Sequence, residues 1–222
     1  MRKLPVGTLV GAFALLAACA LGACSGVGSA GSRTRAWAEG PARWLLLPAE
    51  ERELRALRSE AEGALFVEEF WRRRDPQPEA AGNPVRDAFE ARVDAADRAY
   101  DEPERRGSLT DRGRALVLLG PPSLLRHGRR TAPAWRPGRR TAGPMPVRHL
   151  VVETWEYGPQ DLWPALAALL DARGESGVRL VFLMSEDGVR LIDGEKYLEL
   201  AAEATVQLLP RGPGTARAGL EP

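Results

Sequence analysis

The chain has 222 residues, with 31 basic and 30 acidic side chains for a formal charge of +1, and it is 44% apolar and 6% aromatic. These proportions exclude collagen-like, coiled-coil and wholly disordered chains, and they leave room for one domain with a real core. Near neutrality gives no ground for a nucleic-acid partner of the whole chain. The charge is nevertheless segregated. Residues 48–104 carry nine bases and sixteen acids, residues 105–149 carry eleven arginines against the single acid Asp111, and residues 150–222 carry six bases and twelve acids.

Met1-Arg2-Lys3 is a short basic start, followed by an uncharged apolar run from Leu4 to Ala23. Residues 1–23 therefore read as a secretory leader, and Pro5, Gly7, Gly11 and Gly22 weaken the run as a permanent membrane helix. It ends in Leu21-Gly22-Ala23-Cys24, which is similar to the lipobox of bacterial lipoproteins. That resemblance implies cleavage before Cys24 and acylation of its sulfur. Leu16-Ala17-Ala18-Cys19 matches equally well by spelling, so Cys19 is the alternate site. Cys24 is preferred because Cys19 lies inside the apolar run, whereas Cys24 is followed by the Gly/Ser-rich stretch Ser25–Ser32. Such a composition suits a flexible tether, expected over residues 24–42. An ordinary cleaved signal or a membrane anchor is the plainer alternative. Ser25, standing where an aspartate would favour inner-membrane retention, implies by the same resemblance an outer-membrane lipoprotein facing the periplasm. With Cys24 acylated, no thiol is left for a disulfide or a cysteine metal site.

A folded domain is expected over residues 43–205, beginning with two helical stretches at about 48–74 and 84–101. Pro48 suits the first position of a helix, with Glu50 and Glu51 near its positive end. Ser59 followed by Glu62 has the spacing of a capping box, which predicts a break and a restart. Leu65, Phe66, Phe70 and Trp71 then form an apolar face at helical spacing. Asp75-Pro76-Gln77-Pro78 stops this helix, because proline lacks a donor and restrains the residue before it. Asn83-Pro84 is a second start, and Val85, Phe89, Val93, Ala96 and Tyr100 recur along one helical face.

Strands follow. Residues 115–119 are an apolar run closed by Gly120-Pro121-Pro122 and read as a buried strand. Residues 150–157 predict a second strand, and 178–184 and 189–192 a third and fourth joined by a turn at Asp187-Gly188. Residues 160–172 and 195–204 read as helices. An arginine-rich loop is expected over 123–149, and a disordered tail over 206–222. Helices first and strands later predict an α+β fold with a small, mainly antiparallel sheet.

Several short motifs occur in a fixed order: Phe70-Trp71-Arg72-Arg73-Arg74-Asp75-Pro76, then Asn83, then Gly107-Ser108-Leu109-Thr110-Asp111-Arg112-Gly113, then Gly120-Pro121, then Glu153-Thr154-Trp155-Glu156-Tyr157. This series, covering roughly residues 43–157, resembles the GWxTD domain of bacterial secreted and lipid-anchored proteins, a family without an established activity. Ser108 stands where that family has its tryptophan. The residues that carry the resemblance are Phe70, Trp71, Arg73, Arg74, Asp75, Pro76, Asn83, Gly107, Thr110, Asp111, Arg112, Gly113, Gly120, Pro121, Glu153, Trp155 and Tyr157.

Read as chemistry, Asp111 is expected to pair with Arg112, Arg114 or one of Arg72–Arg74 while Thr110 and Gly113 shape a turn. A ligand site formed by Arg73, Arg74, Asp75 and Asp111 is the sharper alternative, because arginine forks suit carboxylates, phosphates and sugar acids. His127 and His149 have no cysteine and almost no carboxylate near them in sequence, which speaks against a metal site. No motif of a serine hydrolase or a zinc protease occurs. No catalytic, cofactor-binding or metal residue is assigned. The expected function is a lipid-anchored envelope protein that binds another envelope protein or an anionic polymer or lipid, and no nucleic acid. The alternative is a hydrolase-like envelope enzyme using arginines and aspartates around Asp111 and Asp75.

Overall fold

The computed structural model describes residues 31–133, 147–186 and 188–207. The leader, Cys19, Cys24, the centre of the arginine-rich segment, Asp187 and the tail beyond Gln207 lie outside the described residues. The fold is α+β, with a four-stranded antiparallel sheet and helices that mostly precede it.

The chain enters through helix α1 (Ser32–Glu39), where a flexible tether was expected. Thr34 and Ala38 are buried on this helix, and Trp37 packs edge-on against Phe70 with ring centroids 4.9 Å apart. That aromatic contact lies far along the chain, so the Gly/Ser-rich approach gives no hint of it.

Helix α2 (Pro48–Ala56) opens on proline, and Glu50 reaches back to accept from the Leu47 N–H. Helix α3 (Glu60–Arg72) starts where the capping spacing predicts, with Ser59 Oγ accepting from the Glu62 N–H. Asn83 caps helix α4 (Pro84–Tyr100) by accepting from the Val85 and Arg86 N–H groups. The same side chain donates to the Trp71 carbonyl, 2.8 Å away, and so fixes the start of α4 against the end of α3.

The run expected as a strand over 115–119 belongs instead to helix α5 (Asp111–Leu119). Thr110 is its N-cap, accepting from the Gly113 N–H and donating to the Gly107 carbonyl at 2.7 Å. Ala115 to Leu119 are all buried, so the helix has no wet face within that run and shows no amphipathic period. Gly120, at φ 86°, ends the helix in a conformation that suits glycine.

Strands β1 (Leu124–Pro133) and β2 (Val147–Tyr157) then pair antiparallel, from Leu124 opposite Glu156 to Pro133 opposite Val147. The loop expected over 123–149 is therefore a strand for much of its described length. Residues 124–131 lack apolar alternation because every one of them is exposed. Helix α6 (Pro164–Asp171) leads to strands β3 (Val178–Ser185) and β4 (Gly188–Asp193), and helix α7 (Glu195–Gln207) closes the described chain. The spatial order of the strands is their chain order.

Pairing register places Trp155, Tyr157, Leu180 and Phe182 on one face of the sheet. These residues join Phe70, Trp71, Phe89, Leu116 and Leu166 in one core. Arg126, Arg130, Thr154, Glu156 and Arg179 lie on the other face.

Candidate functional site

Two clusters gather charged motif residues, and neither is the cluster considered above. The first is built on α2 and α3. Arg74 is fully buried and grips Glu50 with two bonds, Nη1 to Oε1 at 2.8 Å and Nη2 to Oε2 at 2.7 Å. It also donates to the Leu45 and Phe70 carbonyls and lies 3.6 Å from the centroid of the Phe70 ring. Burial pushes this guanidinium below its ordinary value, while the bonds to Glu50 pull it back up. Arg73 faces Glu50, Glu53 and Glu69 at 3.3–3.7 Å. Asp75 accepts from the Gln77 N–H, forming the turn that ends the helix before Pro76.

The second place lies between α4, α5, β1 and β2. The carboxylate of Glu153 is buried beneath the sheet, where it accepts from Trp155 Nε1 at 2.6 Å. His127 Nε2 lies 3.1 Å from it and Arg112 Nη1 3.9 Å. The guanidinium of Arg112 also covers the Tyr100 ring at 4.7 Å. Burial pushes the Tyr100 phenol up, Arg112 pulls it down, and Glu153 adds to the upward shift, which prevails. The Tyr157 hydroxyl donates to the Gly120 carbonyl, and burial drives it far above its ordinary value. Glu153, Trp155 and Arg112 thus form one cluster, and the Tyr157–Gly120 bond separately ties β2 to the end of α5.

Contrary to the expected pairing with Arg112, Arg114 or one of Arg72–Arg74, Asp111 pairs with no arginine among the described residues. Its Oδ2 accepts from the backbone N–H of Leu191 at 2.6 Å, fastening α5 to β4. Asp75 and Asp111 therefore serve different elements, and Arg73 and Arg74 are held by glutamates. Glu50 and Tyr100 carry no site signal in the sequence, because each meets its partner only through the tertiary fold. Glu50 stood out only as an acid in a first helical turn.

In the turn that holds the motif, Gly107–Leu109, Gly107 and Ser108 are buried. Asp97 accepts from the Ser108 N–H at 2.7 Å and from Arg106 Nε at 2.7 Å. Burial pushes the Asp97 carboxyl up, but the bonds from Ser108 and Arg106 outweigh it and hold the group below its usual range. Trp44 donates its indole N–H to the Ser108 carbonyl at 2.9 Å. Gly113 has no room for a side chain, since a Cβ there would strike the Gly107 carbonyl.

A groove of about 910 Å³ opens elsewhere, lined by Trp44, Leu47, Leu54 and Leu198 together with arginines and glutamates. Asp75, Asp111 and Glu153 are not among its lining residues. Among the described residues, no three His, Cys, Asp or Glu side chains are placed to hold a metal, and no helix is long and apolar enough to cross a membrane. The chain matches no family model, no curated protein and no solved structure.

Proposed function

We propose that this chain is a lipid-anchored protein of the cell envelope whose domain is an interaction module of the GWxTD type. Acylated Cys24, with Cys19 as the alternate, attaches it to the outer membrane on the periplasmic side. Its partner is another envelope protein or an anionic polymer or lipid. The observation that supports an interaction module over an enzyme is the engagement of the motif charges. Arg74 is locked to Glu50, Glu153 to Trp155, His127 and Arg112, and Asp111 to the backbone of β4. A catalytic carboxylate needs an accessible concave site where it meets substrate. These carboxylates instead hold helices and strands together.

The anchoring is tested by metabolic labelling with a palmitate analogue. Cys24→Ala abolishes labelling on this reading, whereas labelling that persists until Cys19 is also changed moves the anchor to Cys19. The module is tested by crosslinking and pull-down of the lipidated protein from its own envelope. A reproducible envelope partner is the expected outcome. A hydrolytic activity that disappears in a folded Asp111→Asn variant would overturn the reading in favour of an enzyme.

A further inference from the structure

The sheet has two edges, and they are treated differently. At one edge, β4 is only six residues long, and its Leu191 N–H is taken up by Asp111 from α5. At the other edge, β1 is ten residues long and pairs with β2 alone. Residues 124–131 are exposed at every position. In an antiparallel pair, alternate residues of an edge strand turn their N–H and C=O groups away from the partner strand. Along β1 those groups form a row with no strand, helix or loop set against it among the described residues.

The side chains decide what could lie there. Leu124 and Leu125 are about 40% exposed, at 40% and 42%, and Arg126, Arg129 and Arg130 follow them. Register places Leu124, Arg126 and Arg130 on one face of the strand, and Leu125, His127 and Arg129 on the other. Of these arginines only Arg126 has an acidic neighbour among the described residues, Glu156 at 3.7 Å. A second copy of the chain is a poor occupant. Two β1 strands meeting antiparallel about Gly128 would set Arg126 of each opposite Arg130 of the other, and like charges directly opposed are destabilising. In that register the arginines oppose self-pairing, as charged edge strands do in general. Against an acidic strand the same charges become attractive.

We propose that the β1 edge docks an extended acidic segment of a partner protein, which adds a fifth strand to the sheet. Backbone bonds give the affinity and the arginines select the sequence. In antiparallel register, the segment carries acids opposite Arg130, Arg129 and Arg126, then apolar residues opposite Leu125 and Leu124. Its acids accordingly fall at its first, second and fifth positions, and its apolar residues at the sixth and seventh. The inference rests on the reading of the domain as an interaction module, but not on lipidation.

The test uses the full-length protein in non-ionic detergent and a fluorescein-labelled peptide, Glu-Glu-Thr-Thr-Glu-Val-Val flanked by Gly-Ser. Fluorescence anisotropy should report saturable binding, and hydrogen exchange should slow at alternate amides of 124–131. A peptide of equal charge with proline for both threonines keeps the electrostatics but disrupts strand pairing, and it should bind at least about tenfold more weakly. The exposed double variant Arg126→Glu/Arg130→Glu should also lose about tenfold or more. Equal binding of the two peptides would overturn the proposal in favour of charge attraction alone. So would binding only to vesicles of phosphatidylglycerol, which has no strand to add. An envelope partner still captured by the double variant would refute this edge as the site while leaving the interaction module standing.

Discussion

The Asp111 carboxylate accepts a 2.6 Å hydrogen bond from the Leu191 N–H, and through it the first turn of α5 closes one edge of the sheet. Asp111→Ala leaves a half-buried backbone donor without its partner and removes an acid from a helix N-terminus. Together these should cost about 1–3 kcal/mol. Asp111→Asn keeps an acceptor oxygen and should lose less. Urea unfolding of the three proteins checks the order, and an alanine variant as stable as the wild type would refute the edge-closing role.

Arg74 and Glu50 are expected to be strongly coupled. Glu50→Ala leaves a guanidinium buried without its carboxylate, a loss of about 3–5 kcal/mol. The double replacement Arg74→Met/Glu50→Leu removes both charges together, and an apolar pair of similar size is often neutral or stabilising in such a place. It should therefore be far more stable than Glu50→Ala, short of the wild type by about 1–3 kcal/mol for the lost bonds to the Leu47 N–H and to the Leu45 and Phe70 carbonyls. Chemical denaturation of Arg74→Met, Glu50→Leu and the double replacement measures the coupling, and additive losses would refute it.

The helix starts were legible because their signals are local. Ser59 and Asn83 cap within three residues of themselves, and Pro48 needs only its own ring. The three misread segments fail for one shared reason, that their structure is set by distant partners. Ala115–Leu119 is buried on every side, and burial erases the period that separates helix from strand. Residues 124–131 show no apolar alternation, yet β2 pairs with all of them. Ser32–Glu39 is short and polar, and it is held by Trp37 against Phe70. The candidate site follows the same rule. Arg74 and Glu153 were named from their motifs, but Glu50 and the Leu191 N–H, which define what Arg74 and Asp111 do, are 24 and 80 residues away.

Asp97 predicts a pH effect. Burial raises its carboxyl, but the bonds from Ser108 and Arg106 prevail, so its value in the folded chain lies below the ordinary 3.8. As pH falls, protons bind the unfolded chain first. The stability contributed by this group is complete above the unfolded value and is lost as pH falls through the folded one. Asp97→Asn should lower stability at neutral pH and flatten the acid limb of the profile. Thermal unfolding from about pH 3 to pH 7 reads both effects. Parallel acid limbs in the variant and the wild type would refute the assignment.

Ser108 offers a direct trial of the position where the resembled family carries tryptophan. Ser108 is fully buried, its N–H is held by Asp97, and its carbonyl is held by the Trp44 indole. An indole introduced there has no existing space and must displace packed neighbours, at a cost of about 1–3 kcal/mol or more. Ser108→Trp should therefore unfold at a lower temperature than the wild type. Because Trp44 touches the same turn, its truncation should couple to that cost. Trp44→Ala alone destabilises by loss of packing and one hydrogen bond, but in the Ser108→Trp background it frees space beside the turn. The double variant should then be more stable than the sum of the single losses predicts, by at least about 0.5 kcal/mol. Strict additivity would show that the indole at position 108 packs away from Trp44, and that the two tryptophans do not share a site.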